Sequence, residues 1–225
     1  MAERGGEMKY NTILFDFDYT LADATPGIVE SALFALHEMG FPAPDVEAVR
    51  RTVGMSLPES LSYLTGVTEA AQCKRYAALF VQKADEVMTP STVLFDGTID
   101  VLTRLRTEGA RIGIVTSKFR YRIEQALAKF SAEHLVDIVI GYEDVSAPKP
   151  SPEGIDKALA HLGAKKEQAL FVGDSLYDAN AAANAGIDFA AILNGTTEQA
   201  AFEPLPHVLI ADSLTALCRE LCMKA

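Results

Sequence analysis

The sequence predicts an α/β fold in which a doubly wound parallel sheet is interrupted, after its first strand, by an inserted α-helical domain. Three observations carry that expectation. Apolar runs of strand length, closed by polar or glycine punctuation, alternate with helical patterns from Val93 onward. Between Leu21 and Val93 the spacing is helical throughout, in lengths typical of a small bundle. A chain of 225 residues is long enough to bury one large core or two smaller ones. The expected division is a core of residues 9–22 and 90–225, a helical cap of residues 23–89 and a flexible, Gly-rich charged tail of residues 1–8.

Taken in order, Thr12-Ile13-Leu14-Phe15 is a buried strand that delivers Asp16-Phe17-Asp18-Tyr19-Thr20 at its carboxyl end. Thr25-Pro26 reads as a cap with proline at the first helical position, and Ile28, Leu33, Leu36 and Met39 continue at helical spacing up to Gly40. Further helices are expected over residues 45–52, 56–64 and 68–88. Val93-Leu94-Phe95 resumes the pattern of a strand leading to a site. Leu102, Leu105 and the Gly109 stop mark one core helix, and Ile123, Leu127 and Phe130 mark another. Ser151-Pro152-Glu153 caps and opens a third that ends at Gly163. Strands are expected over residues 110–115, 136–140, 169–172, 187–193 and 207–210, with a helix over 214–221 closing the fold.

Four of these segments carry chemistry. Two aspartates one residue apart at the open end of a parallel strand stand where such sheets bind ligands, and a carboxylate there serves as nucleophile, acid/base or Mg2+ ligand. Ile112 to Val115 leads to Thr116-Ser117-Lys118, Lys149 lies between Pro148 and Pro150, and Leu170 to Val172 leads to Gly173-Asp174 with Asp178 four residues on. Each piece has a plain reading. A single strand-exit Asp caps a turn, Thr116 and Ser117 suit a helix N-cap, Lys149 suits a solvated loop, and Gly173-Asp174 suits a turn. Together and in this order they place carboxylates, a hydroxyl and a lysine on one sheet edge.

In these pieces, Asp-x-Asp-x-Thr, Thr-Ser-Lys, Lys-Pro and Gly-Asp-x-x-x-Asp, the chain resembles the haloacid dehalogenase superfamily from about Tyr10 to near the C-terminus. Within it, the resemblance is to small phosphatases with a Rossmann-like core and a helical cap after the first motif, phosphoglycolate phosphatases among them. It implies Asp16 as the nucleophile and Asp18 as acid, then base. It also implies Thr116, Ser117 and Lys149 as holders of the phosphoryl oxygens, and Mg2+ on Asp16, Asp174 and the Asp18 backbone carbonyl, with Asp178 in support. Lys118 is a weaker candidate for those phosphoryl oxygens, or only a solvated helix start. Two positions depart from the branch: Tyr19 stands where glycine is usual, narrowing the space beside the nucleophile, and Ser117 stands where asparagine is frequent. Arg50 and Arg51, before the Gly54 turn, are candidates with Tyr19 for substrate selection.

The implied activity is Mg2+-dependent hydrolysis of a small phosphorylated metabolite. A phosphomutase of the β-phosphoglucomutase type shares all four motifs and differs mainly in its cap. A non-catalytic phosphate-binding regulator is expected to lack Asp16, Asp18 or Lys149, and all three are present. A phosphonatase needs a cap lysine for Schiff-base chemistry, and no such lysine stands out.

Composition narrows the classes. Twenty Lys and Arg against 31 Asp and Glu leave a net charge of −11, which opposes binding to nucleic acid. No apolar run approaches bilayer length and the N-terminus does not read as a signal peptide, so a cytoplasmic protein, monomeric or homodimeric, is expected. Cys73, Cys218 and Cys222 are too scattered for a disulfide framework, with Cys218 and Cys222 sharing one face of the last helix. His37, His134, His161 and His207 lack metal-ligand spacing.

Overall fold

Thr12, Ile13, Leu14 and Phe15 are all buried, and the strand they form, β1 (Thr12–Phe15), is flanked on both edges by parallel neighbours. A strand packed on both faces has no use for polar alternation, which is why the run is apolar. The computed structural model describes residues 9–223, so the expected tail at residues 1–8 lies outside the described residues. Contacts divide the chain into two units: residues up to Leu21 and from Leu94 onward, and Ala22–Val93.

The second unit begins with β2 (Ala22–Asp23) and continues through α1 (Thr25–Glu38), α2 (Val46–Arg50), α3 (Leu57–Thr65) and α4 (Ala70–Ser91), and its boundary falls within β3 (Val93–Leu94). Thr25 does not cap α1. Ala24 holds the cap position without a side-chain hydrogen bond, Thr25 and Pro26 occupy the first helical positions, and the Asp23 carboxylate accepts from the Thr25 amide at 2.8 Å. Ser56 and Glu59 form a reciprocal capping box on α3. Ala35, Leu36, Leu61 and Tyr76 form one buried cluster and Ala24, Ala84 and Met88 another, with Phe80 packed against both. The expected 93–95 strand does not join the main sheet: Val93 and Leu94 pair with β2 in a separate two-stranded sheet.

The first unit continues with α5 (Thr98–Thr107), β4 (Arg111–Val115), α6 (Arg120–Lys129), β5 (Ile138–Ile140) and α7 (Glu153–Leu162). It closes with β6 (Ala169–Gly173), α8 (Leu176–Ala185), β7 (Asp188–Ile192), α9 (Gln199–Phe202), β8 (Leu209–Ala211) and α10 (Leu214–Met223). The sheet order is β5-β4-β1-β6-β7-β8, and all five pairings are parallel. β5 starts at Ile138, later than the expected residue 136, and follows a 3-10 turn over residues 133–135. The chain builds outward from β1 to β5, then returns to the other side of β1 at β6. That reversal opens the crevice in which doubly wound sheets bind ligands.

On one face, Leu14 and Phe171 of the sheet pack with Ile155, Ala158 and Leu159 of α7 and Ala179 and Ala182 of α8. The alanines of α8 let that helix approach β6 and β7 closely. Truncating Phe171, fully buried here, to Ala is expected to cost about 3–5 kcal/mol. On α10, Cys218 Sγ and Cys222 Sγ lie 3.9 Å apart, as the shared face requires.

Candidate active site

Strand pairing runs one residue beyond β1 and β4, and this sets the site. The Asp16 amide donates to the Val172 carbonyl at 2.9 Å and the Thr116 amide to the Ile140 carbonyl at 3.0 Å. Asp16, Thr116 and Asp174 therefore leave three adjacent strands at one edge, all with little exposure. Thr116 is not a helix cap: α6 starts after Phe119, and the Thr116 hydroxyl instead accepts from the Lys118 amide at 3.2 Å. A cavity beside it is lined by Thr116, Ser117, Tyr142, Pro148 and Lys149.

Lys149 is buried rather than solvated. Its ammonium lies 2.6 Å from Asp178 Oδ1 and 2.9 Å from Asp16 Oδ1. Asp178, fully buried in the first turn of α8, divides its oxygens. Oδ1 receives Lys149, while Oδ2 accepts from the Ser175 amide at 3.0 Å and hydroxyl at 2.6 Å, closing the helix cap. Gly173 is required here, because a Cβ would collide with the Asp178 carboxylate. Gly195, after β7, approaches Asp174 in the same way.

Asp16, Asp174 and Asp178 offer oxygens that all lie within 4.8 Å of one another. Three carboxylates thus share the single Lys149 ammonium, and the imbalance governs their protonation. Burial raises Asp16 to about 6 even though the Lys149 charge opposes it. Burial, with the charges of Asp178 and Asp16, raises Asp174 well above the carboxylate range. Burial alone would lower Lys149, but the Asp16 and Asp178 charges outweigh it and raise it. All three groups bind protons more tightly for one reason: the cluster carries excess negative charge in a medium that solvates it poorly. Asp16 Oδ1, moreover, is buried without a hydrogen-bond partner, since Lys149 approaches it outside hydrogen-bond geometry. An oxygen-only donor set, surplus negative charge and an unsatisfied carboxylate oxygen fit a hard divalent cation.

Asp18 stands apart from that cluster. Lys118 Nζ donates to both of its oxygens at 2.7 Å, and the two side chains are 12 and 8 % exposed. The reading of Lys118 as a solvated helix start is therefore corrected. Its partner lies 100 residues away in sequence, so no local spacing announces the contact. Thr20, the threonine that follows the two aspartates, donates its hydroxyl to Asp174 Oδ1 at 3.2 Å. Tyr19 is buried at φ 60°, a left-handed conformation that favours glycine and costs another residue about 1–2 kcal/mol. Glycine is thus the unstrained residue at this position, and the departure to Tyr19 carries a physical cost. Arg50 and Arg51 belong to the helical unit, where both pair with Glu47, at 3.1 and 3.9 Å.

A further signal could have come from Glu153, read only as part of a helix start. It accepts from the Ser146 amide and hydroxyl and from the Ala147 amide, at 3.0, 2.7 and 3.0 Å, and so ties down the loop that leads to Lys149.

The model of the haloacid dehalogenase-like hydrolases matches residues 13–192, from β1 to β7. The chain is 32% identical over 200 residues to the pyrophosphatase PpaX of Bacillus cereus strain AH820, covering 88% of this chain and 91% of that one. A solved haloacid dehalogenase-like hydrolase from Bacteroides fragilis is 40% identical, with a TM-score of 0.91 over 93% of this chain and 100% of that one. A predicted phosphoglycolate phosphatase from Haemophilus somnus, 22% identical, shares the fold with a TM-score of 0.84 over 96% of this chain and 99% of that one. Among the described residues no helix is long and apolar enough to cross a membrane. The chain belongs to the haloacid dehalogenase-like hydrolase family.

Proposed function

We propose that the protein hydrolyses a small phosphorylated metabolite with Mg2+, through a phosphoryl group carried on Asp16. The observation that carries this reading is the buried cluster of Asp16, Asp174 and Asp178, in which a single ammonium pairs with Asp16 and Asp178. Folding three carboxylates into so little solvent is costly, and a catalytic cation explains why the cost is tolerated.

The steps follow from the side chains. Asp16 attacks phosphorus while the bond to the leaving oxygen breaks, and Asp18 gives that oxygen a proton. Water then attacks the phosphorus of the aspartyl-phosphate, Asp18 takes the proton, and Asp16 returns as carboxylate with release of inorganic phosphate. The Thr116 hydroxyl, the Ser117 backbone and Lys149 are assigned to the phosphoryl oxygens, whose charge dominates a loose transition state. Mg2+ held by Asp16, Asp174 and the Asp18 backbone carbonyl, with Asp178 in support, would supply positive charge between an anionic nucleophile and an anionic substrate. Residues 23–89 are proposed as a cap, in which Arg50 and Arg51, together with Tyr19 in the core, select the substrate.

Phosphoglycolate-like monoesters are the first candidates, and likeness to a named pyrophosphatase adds inorganic pyrophosphate as a second. The test is a panel of phosphorylated metabolites and pyrophosphate, scored by phosphate release with Mg2+ and with EDTA. Metal-dependent release that is lost in Asp16→Asn, with phosphate trapped on Asp16 in the wild type after acid quench, is the expected result. Release that survives EDTA or Asp16→Asn would overturn the proposal.

A further inference from the structure

We infer that Lys118 is the positioning residue for Asp18: its ammonium fixes the direction of the carboxylate that the proposed chemistry uses as acid and base. The inference rests on that acid/base reading and adds a residue to it.

The geometry is that of a clamp. Both Asp18 oxygens are 2.7 Å from one ammonium, so rotation about either side-chain torsion of Asp18 loses a contact. Lys118 is itself held at its base. Its amide donates to the Thr116 hydroxyl at 3.2 Å, its carbonyl accepts from the Tyr142 amide at 2.9 Å, and its ammonium sits 5.9 Å from the Phe17 ring centroid. Motifs one and two are thereby joined by a side-chain contact as well as by the pairing of β1 with β4.

A lysine buries its head only when a partner compensates, because desolvation and lost rotamer freedom both oppose it. Here the compensation is Asp18. The two lysines of the site are not interchangeable: Lys149 serves Asp16 and Asp178, and Lys118 serves Asp18. Removing Lys118 leaves Asp18 free to turn, and misplacing a reacting group by about 1 Å costs about 100-fold in rate.

A double-mutant cycle tests this with Lys118→Met, Asp18→Asn and the pair, measured with Mg2+ on the best phosphomonoester of the panel. Lys118→Met is expected to lower kcat about 100-fold with KM within about two-fold, since the residue acts on Asp18 and not on bound substrate. In the Asp18→Asn background the same change should add less than about three-fold, because the group it positions is already disabled. Lys118→Arg, which keeps a cation able to grip a carboxylate, should recover at least about a tenth of wild-type kcat. Thermal melting of the metal-free variants provides a readout apart from turnover: the two single changes must be non-additive if the contact exists. Losses that multiply, a loss mainly in KM, wild-type kcat in Lys118→Met, no recovery with arginine, or additive melting shifts would each overturn the inference. Asp16→Asn, run alongside, separates the two levels. If it leaves turnover intact, the reading of the whole site fails; if it abolishes turnover while Lys118→Met matches wild type, only the role of Lys118 fails.

Discussion

At the carboxyl edge of the sheet, the Lys149 side chain is 5 % exposed and lies 2.6 Å from Asp178 and 2.9 Å from Asp16, whereas at the C-terminal end of α2 Arg50 and the capping Arg51 are 42 and 62 % exposed and lie 3.1 and 3.9 Å from Glu47. Both regions contain basic side chains beside carboxylates, but the surroundings give the pairs different weight. Around Arg50 and Arg51, water screens the charges and the pairs contribute about 0–1 kcal/mol. Around Lys149 the charges have lost their water, so removing one partner strands the others. The difference teaches that an ion pair here signals chemistry only where the fold has given up solvation to keep it.

The strongest way to break the comparison is at Asp16. Asp16→Asn should lower turnover by about four orders of magnitude or more, measured by phosphate release in a preparation free of host phosphatases. A loss no larger than that of the Arg50 or Arg51 variants would erase the distinction between the regions.

Lys149→Met should lower kcat by about 100- to 1,000-fold and unfolding free energy by about 3–5 kcal/mol, because Asp16 and Asp178 are left buried without their cation. Urea titration of the metal-free protein measures the second quantity.

Asp174→Asn acts in the opposite sense on stability. Taking one charge from an over-acidic cluster should leave the metal-free protein as stable as wild type or more so, while turnover is lost. Wild type should gain about 2.7 kcal/mol at a Mg2+ concentration 100 times its Kd, a gain that EDTA reverses and Asp174→Asn lacks. Melting scans with and without Mg2+ check both statements.

Glu153 sharpens the contrast, since it is an accessible carboxylate with a structural task. Its contacts with Lys157, Ser146 and Ala147 lower it to about 2 from an ordinary value of 4.5. A carboxylate depressed by folding contributes stability that is complete above pH 4.5 and fades as pH falls towards 2. Wild type and Glu153→Gln should therefore differ most above pH 4.5 and converge below 2, which acid titration of the melting temperature will show. A gap that widens on acidification contradicts the assignment.

The smallest effects belong to α2. Arg50→Ala and Arg51→Ala should change stability by less than about 0.5 kcal/mol, by urea titration, with no dependence on Mg2+. A selective loss of one metabolite's kcat/KM in either variant would add a role in substrate choice to an otherwise solvated helix end.

Much of this was legible before any tertiary contact was known. Apolar runs ending in Asp16, Thr116 and Asp174 announce parallel strands and their open ends because burial on both faces is written residue by residue. Helices of the inserted unit were readable from periodicity and stop signals for the same local reason. Val93 and Leu94 were less so, since two residues carry no pattern that separates one sheet from another.

The sequence by itself determined the α/β class, the position of the inserted helices and the residue types that reach the sheet edge, because these follow from side-chain character and spacing along the chain. Only the tertiary structure decided how the charges are shared. Lys149 faces two carboxylates, Asp178 divides its oxygens between that lysine and a helix cap, and Lys118 closes on Asp18 from 100 residues away. Those assignments depend on distance and desolvation in three dimensions, and neither quantity is encoded in the spacing of residues along the chain.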